Sequence, residues 1–121
     1  MRQFDHEKLS VYQAAIKHVA WTSDVLAKIP KSLAVHNQLE RSATSIPLNI
    51  AEGNGKSTST DRCRFFDIAR GSALESAACL DVLVARKVAD SNMAVQGKAL
   101  LIEIVSMLVG LIRANSDTRQ I

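Results

Sequence analysis

Apolar residues recur at intervals of three and four along almost the whole chain, in four runs separated by three short breaks. This spacing places apolar side chains on one face of an α-helix, whereas a half-buried strand would need strict alternation. The pattern predicts helices over about 6–28, 33–52, 60–87 and 93–114. Because short breaks place consecutive helices side by side, we expect an all-α, antiparallel, up-down-up-down four-helix bundle formed by one domain, residues 1–121.

The breaks contain residues that interrupt helices. Pro30 ends the first helix, and Gly53-Asn54-Gly55 is expected to end the second through a left-handed conformation. Asp5 is the expected N-cap of the first helix. Pro47 falls inside the second helix and removes one backbone hydrogen bond. We expect a kink there, and two shorter helices joined at Ser45-Ile46 are the alternative.

The composition limits the chemistry available to the chain. Hydrophobic residues make up 47% of it and aromatic residues only 4%, which is typical of a helical core built from aliphatic side chains. The histidines lie far apart, with no Glu-x-x-His pair of the kind found in di-iron bundles. Cys63 and Cys79 lie about 24 Å apart on one predicted helix, too far to form a disulfide within the chain. We expect no metal, no cofactor and no enzymatic activity.

Charge and targeting signals are weak. Fifteen Lys and Arg residues against twelve Asp and Glu give a net charge of +3, and the basic residues are interleaved with acidic ones instead of forming an arm. The first ten residues have no apolar segment typical of a secretory signal. The longest apolar stretch, 99–112, contains Glu103 and is shorter than the about 20 residues that a bilayer requires. We expect a cytoplasmic protein.

The fourth predicted helix is apolar around most of its circumference. Between 99 and 112 only Glu103, Ser106 and Gly110 break the apolar run, and they fall on one narrow stripe. A helix in a bundle buries only part of its surface against its neighbours, so the remaining apolar surface needs another cover. The third helix has a similar surplus. We therefore expect a homo-oligomer held together by helices three and four.

The second break allows a specific pairing of helices two and three. If the chain folds back at residue 56 or 57, residue i of helix two lies opposite residue 113 − i of helix three. Gly71 costs about 1 kcal/mol relative to Ala inside a helix, which predicts a closely packed neighbour there. The register predicts three contacts: Glu52 with Asp61 and Arg62, Asn49 with Arg64, and Arg41 with Ser72 and Glu75.

Basic residues around this break are candidates for contact with nucleic acid. One subunit carries only a modest patch because acidic neighbours partly neutralise it, but a ring of subunits would repeat the patch around an axis. The candidate residues are Lys56, Arg62, Arg64 and Arg70.

Two strings near this break resemble a known family. They are SIPLNIAEG at 45–53 and FDIARGSALE at 66–75. Together they resemble the signature of the bacterial four-helix-bundle proteins encoded in intervening sequences of 23S ribosomal RNA genes, a family similar to the accessory variability determinant of diversity-generating retroelements. The matching residues considered structural are Asn49, Glu52, Gly53, Gly71, Ser72 and Glu75.

The resemblance implies an antiparallel four-helix bundle that assembles into a pentameric barrel. For the retroelement relative it implies binding to nucleic acid and to a reverse transcriptase through a basic surface. We therefore expect a non-enzymatic oligomeric protein that serves as an accessory factor for nucleic acid or a ribonucleoprotein. The alternative is a structural oligomeric adaptor that binds a protein partner without nucleic acid.

Overall fold

The computed structural model describes residues 2–116 and confirms the prediction of a helical protein with four α-helices. No strand occurs among these residues. A short 3₁₀ helix precedes the first α-helix. The elements are the 3₁₀ helix Asp5–Lys8, α1 Ser10–Leu26, α2 Ala34–Asn54, α3 Ser59–Ala85 and α4 Ser91–Asn115.

Two of the four α-helices begin with a side-chain cap. The Thr58 hydroxyl accepts a hydrogen bond from the Asp61 amide at the start of α3, and the Asp90 carboxylate accepts one from Met93 at the start of α4. The predicted N-cap of α1, Asp5, is wrong, because Asp5 lies in the preceding 3₁₀ helix. Its carboxylate instead accepts a hydrogen bond of 2.9 Å from the Asn54 amide.

The predicted left-handed end of α2 is wrong. Gly55 has a φ of −82°, and its amide bonds to carbonyls of the preceding turn in a right-handed geometry. The left-handed residue lies instead after α3, where Lys87 has a φ of 64°. The Val88 amide bonds to the Leu83 carbonyl and the Lys87 amide to the Val84 carbonyl, the two bonds that close a Schellman motif.

The second helix runs through Pro47 without interruption, so the alternative of two shorter helices is wrong. Pro47 is buried, and Ser45 and Asn49 lie on either side of it. The Asn49 amide group donates to the Ser45 carbonyl and to the Ser45 hydroxyl, both at 2.9 Å. These bonds add side-chain support at the turn where the proline removes a backbone donor. The kink itself stays a prediction.

The helices enclose one core, and the main contacts between them follow the order α1, α2, α3, α4 and back to α1. Phe66 is the largest fully buried side chain, and the core to which it belongs contains aliphatic residues from all four helices. Full burial of a side chain of this size stabilises the fold by roughly 1.5–3 kcal/mol. The fully buried large aliphatic residues are Leu39, Ile46, Ile50, Leu80, Leu83, Leu101, Ile104 and Leu108.

Gly97 allows α4 to pack closely against its neighbours. A Cβ atom at this position would overlap the Trp21 ring of α1 and the Leu80 side chain of α3. Gly71 has no such role, because a Cβ there would meet nothing within 4 Å. The close neighbour predicted for Gly71 is therefore absent from the described part of the chain.

By length and composition alone, α4 could cross a membrane, contrary to the expectation from the shorter stretch 99–112. In the structure this helix contacts α1 and α3. Its buried face carries Leu101, Ile104 and Leu108, and its Lys98 side chain forms an ion pair with Asp81 of α3.

His18 is a fully buried ionisable residue in α1. Its Nε2 atom lies 3.4 Å from the Thr22 hydroxyl, and its Nδ1 atom has no hydrogen-bonding partner among the described residues. The imidazole stacks near the Trp21 ring. Burial lowers the pKa of His18 from 6.5 to about 4, because the charged imidazolium would lose its hydration.

We predict that the His18 imidazole makes stability depend on pH between about 6.5 and 4. In this window the unfolded chain binds a proton at His18 and the native protein does not, so the contribution present above pH 6.5 is lost as the pH falls. The loss is on the order of 3 kcal/mol when complete. Urea denaturation of the protein and of His18→Gln at several pH values measures it, with His6→Gln as the control. Equal pH dependence in the protein and in His18→Gln would contradict the prediction.

Candidate functional site

The candidate basic residues lie at the turn between α2 and α3 and in the first half of α3, but they do not form one surface. Lys56 lies in the turn, and Arg62 and Arg64 lie in the first turns of α3. Arg70 follows six residues after Arg64, about 9 Å further along the helix. Lys56 and Arg64 share one environment, whereas Arg62 and Arg70 each have a different one.

Arg62 is directed into the protein and joins three helices. Its Nε atom donates to the Asn115 side chain of α4 at 3.0 Å, and Nη1 donates to the Asn54 carbonyl at 2.7 Å and to the Lys56 carbonyl at 3.2 Å. The Nη2 atom reaches the Asn54 side chain, and the guanidinium lies 5.8 Å from the centre of the Phe66 ring. Most of its hydrogen-bond donors are therefore used within the protein.

Lys56 and Arg64 both lie against the ring of Phe65. The Lys56 ammonium is 5.1 Å and the Arg64 guanidinium 4.7 Å from the ring centre, within the range of cation–π interactions. Each also has an acidic neighbour, Glu52 for Lys56 at 3.5 Å and Asp61 for Arg64 at 3.9 Å. The pair therefore has little net positive charge in one subunit.

Arg70 forms an ion pair with Asp67 one turn earlier in α3. Both Nε and Nη2 donate to the same carboxylate oxygen, at 3.1 Å and 2.9 Å. The two side chains are 40% and 61% exposed, so this interaction contributes little to stability.

The register of α2 and α3 differs from the predicted one by about one helical turn. The Ser42 and Ser76 hydroxyls are 2.8 Å apart, and the Ser72 hydroxyl donates to Ser45 at 2.8 Å. The rule of 113 − i assigns residues 71 and 68 to Ser42 and Ser45, five and four positions short of the observed partners. These serines lie where the two helices face each other, and their hydroxyl pairs set the register. The midpoint of the connecting loop, on which the prediction was based, does not determine which residues face each other.

Two of the predicted polar contacts are accordingly not formed. Glu52 pairs with Lys56 instead of Arg62, and Asn49 bonds to Ser45 instead of Arg64. The third prediction is closer to the structure, because Arg41, Ser72 and Glu75 line one polar cleft between α2 and α3. We call this opening the α2–α3 cleft. Its lining residues are Gln38, Arg41, Ser42, Ser45, Ser72 and Glu75.

The two strings that carry the family resemblance meet along this interface. Ser72 bonds to Ser45, and Asn49 bonds to the same hydroxyl. Glu75 accepts a hydrogen bond from the Gln38 amide at 3.3 Å. Ser42 and Ser76 were not predicted from the sequence to lie at the interface between α2 and α3. Their position at helical spacing within an apolar stripe is the sequence pattern that could have indicated it. Gly53 packs at the end of this interface, where a Cβ would lie 2.9 Å from the Phe66 ring.

The two cysteines differ in burial, Cys63 being partly buried and Cys79 buried. Within 2–116, no group of three or more His, Cys, Asp or Glu side chains is placed to hold a metal ion. The Cys63 thiol donates to the Ile112 carbonyl at 3.5 Å. Burial raises the pKa of the Cys79 thiol, and the Glu75 charge raises it further against an opposing hydrogen bond with Ser42. The Cys79 thiol therefore stays protonated and weakly nucleophilic at neutral pH.

We predict that Arg62 is a structural residue. Replacing it with Ala leaves the Asn54 and Lys56 carbonyls without their donor and lowers the free energy of unfolding by about 2–3 kcal/mol. Urea denaturation measures the change, and Arg64→Ala is the matched control because loss of an exposed ion pair costs at most about 1 kcal/mol. A loss for Arg62→Ala no larger than the loss for Arg64→Ala would contradict this role.

Comparison with known proteins supports the helical fold and provides a family. The family model described as 23S rRNA-intervening sequence protein matches residues 7–110. The structure is similar to the crystal structure of a protein of unknown function from the S23 ribosomal protein family of Bacteroides thetaiotaomicron VPI-5482. That similarity has a TM-score of 0.79 with 21% identity and covers 84% of this chain and 97% of the other. No curated protein matches the chain.

Proposed function

This chain belongs to the 23S rRNA-intervening sequence protein family, and from that premise we propose that it is a non-enzymatic cytoplasmic protein that acts as a homo-oligomer. Each subunit is an antiparallel four-helix bundle with a kinked second helix. The resemblance described above implies five subunits arranged in a barrel. The observation that carries the proposal is the uncovered apolar surface of α3 and α4.

This surface is a groove with apolar rims, which we call the α3–α4 face. Its floor is formed by small and aliphatic residues of both helices. Leu74 and Ile102 line its rims, and their side chains are 52% and 70% exposed. Val95, 66% exposed, extends the apolar surface along α4. Soluble monomers rarely expose a large contiguous apolar patch, so a second protein surface is its expected cover. The floor residues are Ala73, Ala77, Leu101 and Val105.

Two exposed glycines support a cover made of protein. Gly71 and Gly110 lie inside helices, and a Cβ at either position would meet nothing within 4 Å. Each costs roughly 1 kcal/mol relative to Ala without any packing benefit inside the subunit. Close approach of another subunit at these positions provides a physical reason for glycine there. A ring of five copies requires a heterologous contact, in which the α3–α4 face packs on a different surface of the next subunit.

The assembly proposal predicts that charges on the α3–α4 face produce monomers. Leu74→Glu combined with Ile102→Glu should leave the fold stable, because both side chains are more than half exposed, and should abolish assembly. Light scattering after gel filtration at micromolar concentration measures the particle mass. Leu48→Glu is the control, because Leu48 is 61% exposed on α2 and lies outside the face. A monomeric unmodified protein would overturn the proposal.

Nucleic-acid binding is a second candidate function, favoured by one observation. Lys56 and Arg64 lie on the same aromatic ring, that of Phe65, close to the turn between α2 and α3. Two cations and an aromatic side chain are therefore next to one another. Basic residues contact phosphates and aromatic residues stack on bases in proteins that bind single strands. Repetition in an oligomer would compensate for the small net charge of each copy. Arg70 lies outside this pair and bonds to Asp67, and Arg62 serves the fold.

For the second candidate we predict salt-dependent binding of single-stranded RNA. Fluorescence anisotropy at about 50 mM salt should show binding that weakens steeply as salt increases. Lys56→Gln with Arg64→Gln should weaken binding at least tenfold, whereas the control, Lys31→Gln with Arg86→Gln, removes the same charge elsewhere. Absence of binding at low salt would eliminate this function and leave the structural adaptor that binds a protein partner. Equal binding by both double variants would eliminate Lys56 and Arg64 as the contact surface.

A further inference from the structure

The α2–α3 cleft is open and lined by polar side chains. Its volume is about 360 Å³, near the lower end of the range of sites that bind small molecules. Most such sites are largely apolar with a few polar groups, and this one has the opposite character. A ligand that fits it must therefore bring several polar groups and little apolar surface.

Two opposite charges line the cleft without neutralising each other. Arg41 and Glu75 are not within ion-pair distance, and the Arg41 guanidinium has no partner among residues 2–116. Within the described part of the chain, Glu75 accepts a side-chain hydrogen bond only from the neutral amide of Gln38. By contrast, the basic residues at the turn, Lys56 and Arg64, each have an acidic partner.

A hydroxyl proton of the cleft is also unused. Ser45 accepts hydrogen bonds from Asn49 and from Ser72, and its own O–H has no acceptor in the described part of the chain. Ser45 lies one turn after Arg41 on α2, so the two donors stand on the same side of that helix. Glu75 faces them from α3. The cleft thus has two donors on one wall and a carboxylate on the other.

We propose that the α2–α3 cleft binds a small zwitterion whose carboxylate bonds to Arg41 and Ser45 and whose ammonium group bonds to Glu75. A free α-amino acid with a small or polar side chain is the simplest ligand of this class. A simple anion would be repelled by Glu75 and a simple amine by Arg41, whereas a zwitterion complements both charges. The cleft shares no lining residue with the α3–α4 groove.

The proposal is tested by titrating the isotope-labelled full chain with glycine, serine and glutamine and following its amide resonances by NMR. We expect saturable shifts confined to the turns of α2 and α3 that contain Ser45 and Ser72. Acetate and methylammonium, at matched ionic strength, carry one charge each and should bind at least tenfold more weakly. Binding of acetate as tight as that of glycine would overturn the proposal, because Glu75 would then contribute nothing.

Variants separate the two charged contacts. Arg41→Gln and Glu75→Gln should each weaken binding at least tenfold, and both residues are exposed, so the fold is retained. Glu40→Gln is the matched control, because Glu40 is exposed on α2 and lies outside the cleft. No saturable shift up to about 10 mM, ten times a millimolar Kd, would overturn the proposal. Unchanged affinity in Glu75→Gln would do so as well.

Discussion

The hydrogen bonds of the Arg62 guanidinium hold together the end of the molecule where α2 ends, α3 begins and α4 ends. The guanidinium satisfies the Asn54 carbonyl at the end of α2 and the Lys56 carbonyl in the following turn, and it reaches Asn115 at the end of α4. Asn54 in turn donates to Asp5 of the 3₁₀ helix. Carbonyls at the C-terminal end of a helix lack partners within that helix, so a planar group with five donors suits this place. A single side chain thereby joins elements that are far apart in sequence.

The two sides of α3 differ in the chemistry of their contacts. Towards α2, serine hydroxyls pair directly, with Ser42 bonded to Ser76 and Ser72 bonded to Ser45. Hydroxyl pairs in a partly buried seam fix one register, because a shift would leave each group without its partner. Towards α4, apolar packing dominates, and Gly97 sets how closely that helix approaches. The contacts with α2 therefore fix the alignment of α3. The side of α3 that faces α4 provides most of its exposed apolar surface.

The helices could be predicted from the sequence because burial on a helix repeats every three or four residues, a pattern that is local. The ends were harder, since Gly55 stays right-handed while Lys87 adopts the left-handed conformation. The structural role of Arg62 could not be predicted from the sequence. An arginine that bonds to backbone carbonyls and an exposed arginine are the same residue type, and only the folded structure distinguishes them. The two motif strings indicated part of the cleft, yet the relative placement of Arg41 and Glu75 required the observed register.

Because α3 separates a polar side from an apolar side, the two surfaces can act independently. Leu74 and Glu75 are adjacent in sequence, yet one lines the α3–α4 groove and the other the α2–α3 cleft. A helix turns by about 100° per residue, so neighbours on one helix serve different faces. Assembly through the apolar side would bury Leu74, and that side contains no residue of the cleft. Where the surface that receives this side lies outside the α2–α3 pair, each subunit of an oligomer retains its own cleft, and the number of clefts equals the number of subunits.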